Sequence, residues 1–119
     1  MQLHHVLTQL FLILALLPMT TLSAAEYELR TIAKGLDKPW SIAAIDGDAF
    51  LVTEKAGRLI RIDATGGVTT IGGTPEVYFA NQGGLLEVLP DPSFSQNHTV
   101  YLSFAGGDKS ANRTTVVKA

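Results

Sequence analysis

The stretch WSIAAIDGDAFLVTE, residues 40–54, contains two apolar runs separated by the acidic turn Asp46-Gly47-Asp48. Short apolar, β-branched and aromatic runs on both sides of an Asp-Gly turn predict a β-hairpin. Residues 84–104 follow the same order, with apolar runs at Leu85–Leu89 and Thr99–Phe104 and a longer polar turn between them. The chain therefore repeats a β-hairpin unit.

The spacing of the two units indicates a repeat architecture. Leu51-Val52-Thr53 of the first unit and Tyr101-Leu102-Ser103 of the second lie about 50 residues apart. Further strands are predicted at Tyr27–Ile32, Arg58–Asp63 and Val68–Ile71. No stretch after Glu26 keeps a helical period over three turns, so the fold class is all-β. Four short strands in each repeat of about 40–50 residues is typical of a β-propeller blade, and a small irregular β-sandwich remains the alternative.

The last residues of the sequence indicate whether the predicted propeller is complete. Arg113–Ala119 is a β-prone run that no further predicted strand follows. Propeller blades bury their faces against neighbouring blades, and roughly three repeats are normally needed for stability. We therefore expect residues 26–119 to be the N-terminal part of a longer, truncated propeller.

The first 25 residues differ from the rest. No Asp, Glu, Lys or Arg precedes Glu26, and an apolar run at Leu10–Leu17 is followed by Pro18 and by small residues up to Ala25. This pattern is typical of a secretory signal peptide, and the run is short for a membrane span of about 20 residues. We predict cleavage after Ala25 and a periplasmic or secreted protein without a stable membrane span. The alternative is a retained N-terminal anchor, because the leader lacks Lys and Arg.

Composition excludes several kinds of site. Nine Lys and Arg residues against eleven Asp and Glu give a net charge of −2, which disfavours nucleic-acid binding. The absence of Cys excludes disulfides and thiolate metal sites. His98 is the only histidine outside the leader, and we expect it to be exposed in a turn. The sequence predicts no metal site in this chain, and Asp46-Gly47-Asp48 lacks the further ligands of a calcium loop.

One loop motif has a composition suited to ligand binding. Asn81-Gln82-Gly83-Gly84 comes directly before the apolar run at Leu85. Two glycines allow a sharp turn or a close backbone approach, and the Gln82 amide can donate and accept hydrogen bonds at once, as a sugar hydroxyl requires. The alternative is a structural turn with a solvated Gln82.

Five motifs in a fixed order point to a known family. They are GLDKPWSIA (35–43), LVTEKAGRL (51–59), QGGLLEV (82–88), DPSF (91–94) and VYLS (100–103). This order resembles the start of the soluble glucose/sorbosone dehydrogenase family, the aldose sugar dehydrogenases that depend on pyrroloquinoline quinone (PQQ).

The resemblance implies a fold, a reaction and site residues. The full protein would be a six-bladed propeller, of which this chain supplies about the first one and a half to two blades. It would oxidise the C1 hydroxyl of an aldose sugar with PQQ, held in the central channel with calcium, and pass electrons to an external acceptor. The resemblance makes Gln82 the expected substrate- or cofactor-binding residue. The weaker candidates are Gly83, Trp40 and Glu54, and Glu54 has the alternative role of binding neighbouring backbone or Arg58. The family's catalytic histidine comes later, so no catalytic residue is expected in this chain.

Two functions stay open at this point. The first is the quinone-dependent sugar dehydrogenase, of which this chain alone would be inactive. The second is a non-catalytic secreted propeller that binds protein or glycan through its loops, since the propeller fold hosts many functions.

Overall fold

Residues 25–119 are described by the computed structural model, and they form two antiparallel sheets. The signal peptide predicted over residues 1–25 lies, except for Ala25, outside the described residues. The elements in chain order are β1 (Pro39–Ile45), β2 (Ala49–Glu54), β3 (Arg58–Ile62), β4 (Val68–Ile71), β5 (Leu85–Pro90), the short helix α1 (Phe94–Asn97), β6 (Val100–Gly107) and β7 (Asn112–Lys118).

Both sheets are meanders in which each strand pairs with the next one along the chain. The first sheet has the order β1-β2-β3-β4 and the second the order β5-β6-β7. Local turns set this order, because Asp46–Asp48 and Lys55–Gly57 each close a hairpin between consecutive strands. The predicted all-β architecture is confirmed.

The predicted repeat is confirmed for the leading strands of the two sheets. Leu51–Thr53 lies in β2 and Tyr101–Ser103 lies in β6, so the two matching segments occupy the second strand of their sheets. The sheets are thus consecutive blades of the β-propeller type, with β1 and β5 as equivalent first strands.

The main core fills the space between the two sheets. It consists of apolar side chains from both, with exposures of 7% or less: Leu51, Leu59, Leu85, Val88, Val100, Leu102 and Phe104. A second cluster lies on the other face of the first sheet, where Val52, Ile60 and Ile62 pack against Ala33 and Leu36. The central strand β2 is therefore covered on both faces, which explains its continuous apolar sequence.

Polar contacts also join β5 to the first two strands of the first blade. The Ser41 hydroxyl in β1 donates to the Glu87 carboxylate in β5 over 2.9 Å. The buried Thr53 hydroxyl donates to the carbonyl of Leu86 over 2.5 Å. These bonds satisfy polar groups between the sheets and hold β5 beside the first blade.

Two elements differ from the sequence prediction. The strand predicted at Tyr27–Ile32 is wrong, because these residues have no regular secondary structure, and Leu29 is fully exposed. A strand needs a hydrogen-bonded neighbour, and residues 25–119 place none beside this segment. The polar turn before β6 contains one helical turn, α1, and its C-cap residue His98 adopts a left-handed φ of 50°.

Candidate functional site

Gln82 lies at the end of the sheets where β1 and β5 begin and β2 ends. The amide of Leu85, the first residue of β5, donates to the carbonyl of Lys55, the first residue after β2, over 3.0 Å. The amide of Lys55 donates in turn to the carbonyl of Lys38, just before β1, over 3.1 Å. Three chain segments that are distant in sequence therefore meet beside Gln82.

A tight turn presents Gln82. The amide of Gly83 donates to the carbonyl of Ala80 over 2.7 Å, and Asn81 adopts a left-handed φ of 52°. Asparagine tolerates this conformation better than most residues. The turn leaves the Gln82 side chain exposed to solvent at the start of β5.

The two glycines after Gln82 are required by close backbone approaches. A Cβ on Gly83 would lie 2.6 Å from the carbonyl oxygen of Tyr78, and a Cβ on Gly84 would lie 2.2 Å from that of Lys55. Gly84 also has a φ of 131°, which favours glycine. The glycines predicted to permit a sharp turn or close approach do both, and the approach is to the protein's own backbone.

Lys55 connects the Gln82 turn to Trp40. Its ammonium donates to the carbonyl of Asn81 over 2.7 Å and lies 4.9 Å from the centroid of the Trp40 ring. The Trp40 side chain is 49% exposed, so part of the ring remains open to solvent. Cation–π attraction of this kind is worth about 0.5–1 kcal/mol at exposed sites and favours this arrangement of the two side chains.

A second lysine lies over a second aromatic ring close by. The Lys38 ammonium is 5.0 Å from the centroid of the Phe79 ring, which is 43% exposed. Lys38 adopts a left-handed φ of 47°, uncommon for a residue with a side chain.

Glu54 is buried, and its carboxylate is engaged within the protein. One oxygen accepts a hydrogen bond from the amide of Asp37 over 2.8 Å. The other accepts from Nε of Arg58 over 2.5 Å and also contacts a terminal guanidinium nitrogen. Since the side chain is 1% exposed, this geometry corresponds to the structural role considered for Glu54.

The predicted site residues thus fall into a solvent-accessible group and one buried residue, Glu54. Gln82, Gly83 and Trp40 lie at one end of the sheets, where Lys55 contacts the Asn81 carbonyl of the Gln82 turn and the Trp40 ring. Glu54 is buried at the same end and binds the Asp37 amide and Arg58. Sequence reasoning missed Lys55. The available signal was its place directly after the apolar strand β2, in the motif Thr53-Glu54-Lys55.

His98 lies away from Gln82. Gln82 precedes β5, whereas His98 follows α1 beyond the other end of β5, and His98 is exposed as predicted. A strand of six residues spans roughly 20 Å, which is far beyond hydrogen-bond reach. His98 and Gln82 therefore lie beyond opposite ends of β5 and do not converge.

Within residues 25–119, no three acidic or histidine side chains converge as a metal site would require. The same part of the chain contains no helix that is long and apolar enough to cross a membrane.

Comparison with known proteins identifies the family. The family model described as glucose/sorbosone dehydrogenase matches residues 36–119. The aldose sugar dehydrogenase of Escherichia coli is 32% identical over 98 residues, which are 76% of this chain and 26% of that protein.

Solved structures agree. A glucose dehydrogenase shares 44% identity at a TM-score of 0.66, over 71% of this chain and 27% of its own. The PQQ-bound form of an aldose sugar dehydrogenase from Streptomyces coelicolor shares 36% identity at a TM-score of 0.63, over 74% of this chain and 26% of its own. The chain spans about a quarter of the length of these relatives. The chain belongs to the glucose/sorbosone dehydrogenase family.

Proposed function

We propose that this chain is the N-terminal part of an exported quinoprotein that oxidises the C1 hydroxyl of aldose sugars. The observation that carries the proposal is the exposed Gln82 amide, held by a family motif at the shared end of β1 and β5. In support, one similar structure is a PQQ-bound aldose sugar dehydrogenase. In this proposal, residues 26–119 provide the first one and a half to two blades of a six-bladed propeller.

The described residues fit one side of a site for PQQ and sugar. PQQ is a planar quinone, and an exposed aromatic ring and an amide suit such a molecule and its polar substrate. Trp40 and Gln82 supply these groups at one end of the sheets. We propose that calcium takes its carboxylate ligands from outside residues 25–119, since no acidic cluster forms within them.

The chemistry divides between bound cofactor and protein. When bound, PQQ would supply the oxidising power for a reaction in which the C1 carbon and its hydroxyl lose two electrons and two protons to give the lactone. An external acceptor would then receive the electrons. The part of Gln82 is to orient the sugar, donating to one hydroxyl and accepting from it or from a neighbour.

Proton removal needs a group outside this region. A general base must lie within hydrogen-bond reach of the hydroxyl proton, and histidine is the side chain best matched to neutral pH. His98 lies at the wrong end of β5 for this role. We therefore expect the 119-residue chain alone to be inactive, even with PQQ and calcium.

Reconstitution tests the proposal. The complete protein is incubated with PQQ and calcium, and aldose-dependent dye reduction is measured against samples without PQQ and against the 119-residue chain. We expect reduction only by the complete protein with PQQ. Binding of glycan or protein without PQQ-dependent reduction would favour the non-catalytic propeller instead, and activity of the 119-residue chain would refute the assigned need for a distant base.

A further inference from the structure

We infer that Lys55 is a positioning residue that holds Gln82 in its binding orientation. The inference rests on the proposed function of Gln82. Its structural basis is that one residue, Lys55, contacts the Gln82 turn on both sides.

The two contacts come from different parts of Lys55. Its side-chain ammonium donates to the carbonyl of Asn81, the residue before Gln82, over 2.7 Å. Its backbone carbonyl accepts from the amide of Leu85, three residues after Gln82, over 3.0 Å. Gln82 thus lies on a short loop whose two ends are attached to one point of the first blade.

Lys55 also has contacts within the first blade. Its amide donates to the carbonyl of Lys38, and its ammonium lies 4.9 Å from the centroid of the Trp40 ring. Gly84 packs so closely on the Lys55 carbonyl that a Cβ there would lie 2.2 Å away. The second blade's loop therefore packs on a residue of the first blade that has several contacts of its own.

Of the two contacts that Lys55 makes with the loop, only the one from its ammonium depends on the side chain. The backbone bond to Leu85 survives any substitution of Lys55, whereas the bond to Asn81 depends on a charged donor at the end of the side chain. Hydrogen bonds from charged groups are stronger than neutral ones. Removing the charge should free the Asn81–Gln82 side of the loop while the fold remains.

The first test measures the loop directly. In the complete protein without PQQ or sugar, Lys55→Met should accelerate hydrogen exchange at the Gly83 amide, whose bond to Ala80 closes the turn. Lys38→Met is the matched control, because it removes a lysine over a neighbouring aromatic ring, Phe79. We expect Lys38→Met to leave Gly83 exchange unchanged. Unchanged exchange in Lys55→Met would overturn the inference.

The second test measures function in the complete, PQQ-loaded protein. Lys55→Met should raise the KM for aldose by about 2–10-fold, the effect of losing one hydrogen bond, with a smaller change in kcat. Lys55→Arg keeps the charge and donors and should restore most of the affinity. A purely structural role would lower the amount of active protein and reduce apparent kcat at constant KM. Should Lys55→Met fail to fold, Lys55→Gln, which is neutral and shorter, replaces it.

A double-mutant cycle separates this inference from the proposed function. If Lys55 acts through Gln82, Lys55→Met should add little to the loss already caused by Gln82→Ala. Additive losses would contradict positioning. If Gln82→Ala alone has no effect, the proposed role of Gln82 fails, and the Gly83 exchange measurement still decides whether Lys55 holds the turn.

Discussion

Gly83 and Gly84 let the turn that carries Gln82 lie directly against two backbone carbonyls, one earlier in the same loop and one in the first blade. The carbonyl of Tyr78 occupies the space beside Gly83, and the carbonyl of Lys55 occupies the space beside Gly84. At the residue scale, the glycines act through packing and the Gln82 amide acts through hydrogen bonding. This division explains why the motif combines an exposed polar side chain with two residues that have none.

Gly84→Ala should therefore destabilise the protein. The new methyl group would overlap the Lys55 carbonyl, and the φ of 131° is unfavourable for alanine. Residues forced into such backbone regions cost about 1–3 kcal/mol. Thermal unfolding of the complete protein measures the loss.

The matched control is Gly72→Ala. Gly72 is exposed, and a Cβ there would meet nothing within 4 Å. We expect its effect to stay within about 0.5 kcal/mol. Equal melting temperatures for the two variants would contradict the packing explanation.

At the scale of the elements, local sequence predicts the blades well. β1 and β2 were identified because an Asp-Gly turn separates two apolar runs, and both signals act over a few residues. The strand predicted at Tyr27–Ile32 was wrong because pairing depends on a neighbouring strand, which no local pattern reveals.

The candidate site was predictable only in part. The turn at Gln82 was predictable because its glycines and amide are adjacent in sequence, and the binding role of Gln82 stays a prediction. The contact between Lys55 and Asn81 joins residues 26 positions apart, and it arises only when the second blade packs on the first. For Glu54 the sequence offered the contact with Arg58, four positions away, as an alternative, whereas the bond from the Asp37 amide, 17 positions away, depends on the folded chain.

Thr53 lies at the junction of the two blades, where its hydroxyl makes two hydrogen bonds. Its hydroxyl accepts from the amide of Ser41 over 3.1 Å and donates to the carbonyl of Leu86. Thr53→Val keeps the shape but leaves buried polar groups unpaired, which costs about 1–3 kcal/mol. Thr69→Val, on the exposed strand β4, is the control and should be nearly neutral. Chemical unfolding compares them, and similar midpoints would argue against a junction role for Thr53.

Asp91 accepts several hydrogen bonds in the turn before α1, and these bonds depend on its carboxylate being ionised. Its carboxylate accepts from the amide of Ser93, from the side chain of Asn97 and from the phenol of Tyr101. These bonds, led by the one from Ser93, hold the pKa of Asp91 below its ordinary value of 3.8. The bond to Asp91 also raises the pKa of Tyr101 above 10.0.

The sign of the pH effect follows from the lowered pKa of Asp91. The contribution of a group with a depressed folded pKa is complete above its unfolded value and is lost as the pH falls through the folded value. We therefore expect the Asp91 carboxyl to titrate below pH 3.8 by NMR. Asp91→Asn should remove the acid-dependent loosening of the turn over this range. A midpoint at or above 3.8 would contradict the bonding described.

At the scale of the whole molecule, the packing of the second blade on the first determines where the Gln82 turn lies. β1 and β5, the first strands of consecutive blades, are joined through Ser41 and Glu87. Lys55 adds a second connection at the end that carries Gln82. In the proposed propeller, this shared end forms one side of the site for sugar and quinone, and the remaining blades supply the base and the other sides.

The most direct test of this account is steady-state kinetics of Gln82→Ala in the complete, PQQ-loaded protein, with Gln96→Ala as control. Gln96 is also exposed, but it lies in α1, beyond the far end of β5. The account predicts that Gln82→Ala lowers kcat/KM for aldose oxidation by about 2–10-fold, equivalent to about 0.5–1.5 kcal/mol, while Gln96→Ala leaves it unchanged. Unchanged kcat and KM in Gln82→Ala would contradict the assignment of Gln82 to the sugar site.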